Sequence, residues 1–248
     1  MIEGWKEKAQ LIGWLGFFCW MIASGYHVTY LAELQSQILL VATGILALAF
    51  LVRWPRTRPV WRMNYRSWIE SAGHFLPISI FLIMGTTSLT LSDSGLGGAN
   101  IRVLLPEAQT KTFSPENLKP GEYLKTSLVD LYAFAGLDQG FPVEMVGRVH
   151  IMSPEESIKH FPDRKPTPNA LFYRYAIACC AADASPVATV LEGFESGKLV
   201  SGDWVRIRGQ TSFFETAQGN RMIVLRSDFI EEIEKPIKPY LSWLQTLK

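Results

Sequence analysis

Three long stretches without one charged side chain constrain this chain more than any other feature. Asp, Glu, Lys and Arg are absent from Ala9 to Ala32, from Leu34 to Val52 and from Ser71 to Ser92. These windows hold 24, 19 and 22 residues. Each is close to the ~20 that an α-helix needs to cross ~30 Å of hydrocarbon. They account for a charged fraction of 19%, where a soluble domain carries about 25%. The pattern excludes an ordinary soluble protein, a disordered chain and a nucleic-acid-binding polycation.

The windows predict a membrane region over residues 1–92, with two to three transmembrane helices at about 9–31, 34–52 and 71–92. The first window is too long for a signal-peptide core, and a second apolar segment follows almost at once, so a helical hairpin is expected. Gly13, Gly16, Gly25 and Gly44 are small residues of the kind that let helices approach in lipid. Between the second and third windows, Arg53, Arg56, Arg58, Arg62 and Arg66 fall within 14 residues that contain no acid. Short Arg-rich loops stay in the cytoplasm, and Lys6 and Lys8 place the N-terminus on the same side. The third window then carries residues 93–248 outward. The expected location is the bacterial cytoplasmic (inner) membrane, with membrane lipid as a partner and an extracytoplasmic C-terminal domain. His27 and His74 lie near the ends of apolar windows. They are candidates either for interfacial anchoring or for a proton or ion route.

Residues 93–248 are enough for a domain with its own core. A Gly-rich exit opens a linker and docking-helix region at 93–140, in which Leu124 to Leu137 has helical periodicity. From 141 to 248 the pattern changes to period two. Strands are predicted at Val143–Ile151, Leu171–Cys180, Val187–Leu191, Asp203–Thr211 and Arg221–Leu225. Gly147 and Gly209 sit where a curling strand would bulge or bend tightly. Five short, bent strands predict a mainly-β, OB-like small barrel. The part beyond residue 92 has 17 basic and 19 acidic residues, a net of −2, so nucleic acid is not an expected partner.

The sharpest chemical feature is Cys179-Cys180-Ala-Ala-Asp183. On a strand the two thiols would point to opposite faces, one inward and one outward. The third cysteine, Cys19, lies in the first apolar window, which leaves no ordinary disulfide partner in the outer domain. Three explanations stand: two small buried side chains, a zinc or copper ion held by the thiols with Asp183 and His150, or a redox-reactive thiol. No GxSxG, HExxH or GxxxxGKS/T motif occurs, and no catalytic residues are assigned. The chain is expected not to be an enzyme.

Several segments together carry a resemblance: Gly147-Arg-Val, Tyr173-Arg-Tyr-Ala-Ile-Ala-Cys-Cys-Ala-Ala-Asp-Ala-Ser-Pro186, Gly202-Asp-Trp-Val-Arg-Ile-Arg-Gly209 and Ile233-Glu-Lys-Pro-Ile-Lys-Pro-Tyr240. In this order, after a membrane hairpin, they resemble the YcgQ-type family of uncharacterised bacterial membrane proteins. The resemblance implies a multi-span permease as partner subunit, and supplies no mechanism. The expected function is a non-enzymatic accessory subunit whose extracytoplasmic domain binds or gates the solute of that permease. The alternative is a membrane-anchored metal- or thiol-handling protein, and a third reading is an envelope-assembly protein.

Overall fold

A computed structural model describes residues 3–53, 73, 75–80, 118–119, 121–133, 140–162, 164–194, 197, 199–215 and 221–242. The chain divides into two compact units, Met1–Leu89 and Thr90–Lys248.

The N-terminal unit contains α1 (Glu3–Ala23), the short α2 (Tyr26–Tyr30) and α3 (Glu33–Arg53). The first apolar window is not one continuous helix. It breaks at Gly25, which adopts φ +74°, a left-handed conformation that only glycine takes without penalty. The uncharged part of α1 is therefore Ala9–Ala23, too short by itself to span. Glu33–Val52 is long and apolar enough to cross a membrane. Gly13 makes room for the ring of Phe75, whose Cε1 would lie 2.1 Å from a Cβ at that position. Gly16, Gly25 and Gly44 meet nothing within 4 Å among the described residues, so of these four glycines Gly13 alone gains a close approach there. Most of the third window and the loop from Arg56 to Arg66 lie outside the described residues, as does His74.

The C-terminal unit is a small closed five-stranded β-barrel. Its elements in order are β1 (Leu124–Lys125), α4 (Leu128–Ala133), β2 (Pro142–Ile151), α5 (Pro154–His160), β3 (Ala170–Ile177), β4 (Ser185–Glu192), β5 (Trp204–Glu215), β6 (Arg221–Glu232) and β7 (Leu241–Ser242). β2 pairs antiparallel with both β3 and β5, β3 with β4, and β5 with β6, while β4 and β6 run parallel and close the ring. The short β1 and β7 add in parallel to β2 and β3.

The alternation of β3 explains how the barrel fills. Ala170, Phe172 and Ala176 join the inner core with Val143, Met145, Val205, Ile207 and Leu225. Leu171, Tyr173 and Tyr175 join a second cluster with Met152, Phe161 and Val190. The first cluster also takes in Leu128, Leu131 and Tyr132 of α4. The Tyr132 hydroxyl donates to the Ala188 carbonyl at 2.5 Å.

Several expectations change, among them the ends of β5 and β6, which run on to Glu215 and Glu232. Leu124 is not in a helix: it pairs with Val143, and the helix begins at Leu128. At that start the Asp130 N–H donates to Ser127 Oγ at 3.2 Å and the Ser127 hydroxyl donates to Asp130 Oδ2 at 2.7 Å, a local cap that overrides the apolar spacing upstream. β3 ends at Ile177, so Cys179 and Cys180 are not strand residues with opposite faces. Gly147 is not bulged and pairs in register with Val205. At Gly209 the register does shift, with Asp228 as the extra residue between the pairs Arg208–Phe229 and Gly209–Ser227.

Candidate functional site

The two cysteines lie in the turn that joins β3 to β4. Asp183 builds this turn. One carboxylate oxygen accepts the N–H of Ala178 at 3.1 Å and the other accepts that of Cys179 at 2.7 Å. The Asp183 N–H in turn donates to the Cys180 carbonyl at 3.1 Å. Residues Ala181–Asp183 form one 3₁₀ turn. A short acidic side chain that takes up local amides is standard turn chemistry. Here it directs both thiols to the rim, Cys179 exposed and Cys180 half-buried. Their sulfurs are 3.7 Å apart.

Asp183 also sets the thiol chemistry. Its carboxylate accepts from the Cys179 thiol, and with Cys180 beside it this pushes the Cys179 pKa up to about 11. Desolvation pushes the Asp183 carboxyl up, but the Cys179 thiol and then the backbone N–H groups of the turn outweigh it and hold the carboxyl below its ordinary value. A thiol held protonated is the reverse of a redox-poised thiolate. Alkylation of Cys179 near neutral pH should therefore be slow. Asp183→Asn should speed it about tenfold or more, since each unit of pKa is a factor of ten in thiolate. Mass spectrometry of iodoacetamide-treated protein reads this directly, and an unchanged rate would refute the assignment.

His150 is not brought to the cysteines. It pairs with Leu171 at the start of β3, about 26 Å along the strand from Cys179 at ~3.3 Å per residue. Its side chain is buried, and among the described residues Nε2 has no hydrogen-bond partner. Glu156 Oε1 stands 3.9 Å away. Glu156 itself closes the capping box of α5: its carboxylate accepts from the Ser153 N–H at 2.8 Å, and its own N–H donates to Ser153 Oγ at 3.2 Å. Burial lowers the His150 pKa and the Glu156 charge only partly opposes it. The folded state thus resists protonation of His150. Stability is complete above the unfolded histidine pKa of about 6.5 and falls as pH drops below it. The melting temperature of the barrel should decline between about pH 7 and pH 5. His150→Gln should flatten that decline, and an unaltered acid limb would contradict the assignment.

His27 is the second residue of α2, just past the break at Gly25. Its Nδ1 lies 3.3 Å from the Met21 carbonyl, where a helix end leaves acceptors unfilled. The Ser36 hydroxyl donates to the His27 carbonyl at 3.2 Å. This is the geometry of a turn anchor. Among the described residues no group of three or more His, Cys, Asp or Glu side chains is arranged to hold a metal ion.

The barrel carries a second polar centre that the sequence reading missed. Arg174 lies between Phe172 and Ala176 on the inward alternation of β3. Its guanidinium donates to the carbonyls of Val146 at 3.3 Å, Pro239 at 3.1 Å and Lys238. Burial draws its pKa down to about 10, so it stays charged at neutral pH. The Trp204 ring lies 5.6 Å from Arg174 and 5.9 Å from Arg148. Arg148 Nε donates to the Gly202 carbonyl at 2.7 Å. The available signal was Arg174 alternating with apolar residues in a strand otherwise buried on both faces. Together these contacts fasten the Lys238-Pro239-Tyr240 segment to the barrel.

No curated protein matches the chain. Residues 117–242, just over half of it, match the DUF1980 C-terminal domain. That segment takes in the barrel, the cysteine turn and the Arg174 clasp, and on it the chain belongs to the DUF1980 family.

Proposed function

We propose that this chain is a non-enzymatic, YcgQ-type accessory subunit that partners a multi-span permease in the bacterial inner membrane. Its barrel stands on the extracytoplasmic side and binds or gates the solute of the permease. One observation carries the reading. Leu34, Ile38, Val41, Ile45, Leu48 and Val52 repeat at intervals of three and four along α3, and all are more than half exposed. A strand-free apolar seam with that spacing suits a neighbouring helix. The adjacent Leu40 and Leu51 are exposed as well and suit lipid. The strand order of the barrel is that of an OB-type fold. Its outer arginines meet acids, Arg206 with Glu231 at 2.8 Å and Arg208 with Glu144 at 2.6 Å, which favours a protein or small-solute role over a phosphate track.

Site-specific photo-crosslinking tests the pairing in native membranes in which a co-purifying multi-span permease has been identified by mass spectrometry. A crosslinker at Ile45 should capture the permease, and one at the buried Thr43 should not. Failure to capture it at Ile45 while the permease is present would refute the pairing. The metal-handling alternative is favoured by the rim thiols of the β3–β4 turn.

A further inference from the structure

We infer that Cys179 and Cys180 form an open, exchangeable two-thiolate site for a borderline-soft divalent cation of the zinc class. It deepens the solute reading above by naming the chemical class, and it rests on that reading only for its physiological use.

The geometry comes first. Tetrahedral coordination with metal–sulfur bonds of about 2.3 Å places two sulfurs roughly 3.8 Å apart. The Sγ atoms of Cys179 and Cys180 are 3.7 Å apart. A linear sulfur–metal–sulfur bridge with the same bonds would need about 4.6 Å. The observed separation therefore suits one edge of a tetrahedron.

The backbone that carries the two thiols is held in advance. Asp183 takes the N–H groups of Ala178 and Cys179, and the 3₁₀ turn fixes Cys180 from the other side. A site on a fixed turn needs little reordering when an ion arrives. Both carboxylate oxygens of Asp183 already accept amides, which makes it a positioning residue. His150 stands at the far end of β3. Among the described residues no further ligand completes the shell, which leaves two tetrahedral positions without a protein ligand from them. Structural zinc sites are closed by four protein ligands, and sites that exchange or react keep positions open. The rim location and the half-filled shell point to capture and hand-over.

The chemistry balances without a redox partner. A divalent ion displaces one proton from each thiol, two sulfur–metal bonds form, and two protons leave to solvent. Asp183 gives up the thiol hydrogen bond and keeps its two amides.

The test uses the full-length Cys19→Ser protein in detergent, reduced, with no permease present. Zinc titration should give one ion per chain and release two protons, and bound zinc should protect Cys179 and Cys180 from alkylation. Cadmium should give an ultraviolet sulfur-to-metal charge-transfer band with the intensity of two thiolates. Cys179→Ser and Cys180→Ser should each weaken zinc binding by at least the roughly 10–100-fold that loss of a mere supporting group costs. Asp183→Asn should keep the one-to-one stoichiometry and the two-thiolate band. Circular dichroism checks that each variant retains its β structure, and the cadmium band of the unsubstituted turn stands whether or not they fold. No saturable binding with both thiols reduced would overturn the inference. So would one-to-one binding that survives loss of both cysteines, or a cadmium band of one thiolate. Because the permease is absent, these failures leave the pairing reading untouched, and a failed crosslink at Ile45 leaves this site untouched.

Discussion

Gly209→Ala should strongly destabilise the barrel. A Cβ at this position would stand 2.1 Å from the Arg226 carbonyl oxygen, 2.9 Å from its carbon and 3.0 Å from Ser227 Cα. All three are backbone atoms, so no side chain can turn aside. The site adjoins the register shift between β5 and β6, where the extra Asp228 brings the strands together and the barrel curls. Overpacking costs about 1–3 kcal/mol where neighbours can move. Here the ladder itself must open, and a loss of about 3 kcal/mol or more is expected. That corresponds to a fall of roughly 10–15 °C in melting temperature for a domain of this size. Gly147→Ala is the internal comparison. Its Cβ would meet the tip of the Phe172 side chain at 2.6 Å and the Tyr173 carbonyl oxygen at 2.9 Å, so its closest contact is with a side chain and its backbone contact is looser than that at Gly209. A smaller loss is expected there. Thermal unfolding followed by circular dichroism compares the two, and a Gly209→Ala loss below that of Gly147→Ala would contradict the bulge account.

Arg174→Met should release the end of the barrel. The guanidinium serves three carbonyls on two separate segments, Val146 of β2 and Lys238 and Pro239 near the C-terminal end. Hydrogen bonds to a charged group contribute about 1.5–3 kcal/mol each, and a buried carbonyl left without a donor adds its own penalty. Methionine keeps the apolar stem and removes every donor. A loss of about 3 kcal/mol is expected, together with freeing of residues 234–242. Tyr240 would then leave the second core cluster, and the pairing of Leu241 with Ala176 would fray. Hydrogen exchange at Leu241 and Ser242, with limited proteolysis of the preceding Pro-rich segment, checks this. Arg174→Lys should recover part of the loss, because an ammonium is a point donor without the planar fork. Protection at Leu241 unchanged in Arg174→Met would contradict the clasp.

These two residues mark how far the sequence was legible. Gly209 was visible as a break in a clean alternation, and a strand that must bend needs such a residue. Gly147 looked the same and is different, because its partner across the ladder is the in-register Val205. Which glycine bulges depends on the opposing strand, and a single-strand pattern carries nothing about that. The five strands were legible for the same reason that β3 packs on both sides: alternating or continuous apolar runs bounded by turn residues. The end of β3 was not. Ala-Cys-Cys-Ala-Ala is uniformly small and apolar, and the residue that stops the strand is Asp183, which folds back five residues to Ala178. A side chain competing with the ladder for backbone N–H groups leaves no trace in hydrophobic periodicity. Leu124 shows the converse case. Its spacing fits a helix with Leu128 and Leu131, yet pairing with Val143 takes it into the sheet. For the candidate site, the cysteines and Asp183 were legible as a group because they are close in sequence. That His150 stands apart follows only from the β2–β3 register.

We propose that the barrel is held outside the cytoplasm on an apolar N-terminal anchor. Two reporters fused in parallel after Lys248 test it most directly, one active only outside the cytoplasm and one active only within it. The account predicts activity from the first and silence from the second, in cells where the full-length fusion is found in the membrane fraction. A silent external reporter with an active cytoplasmic one at the same position would contradict it.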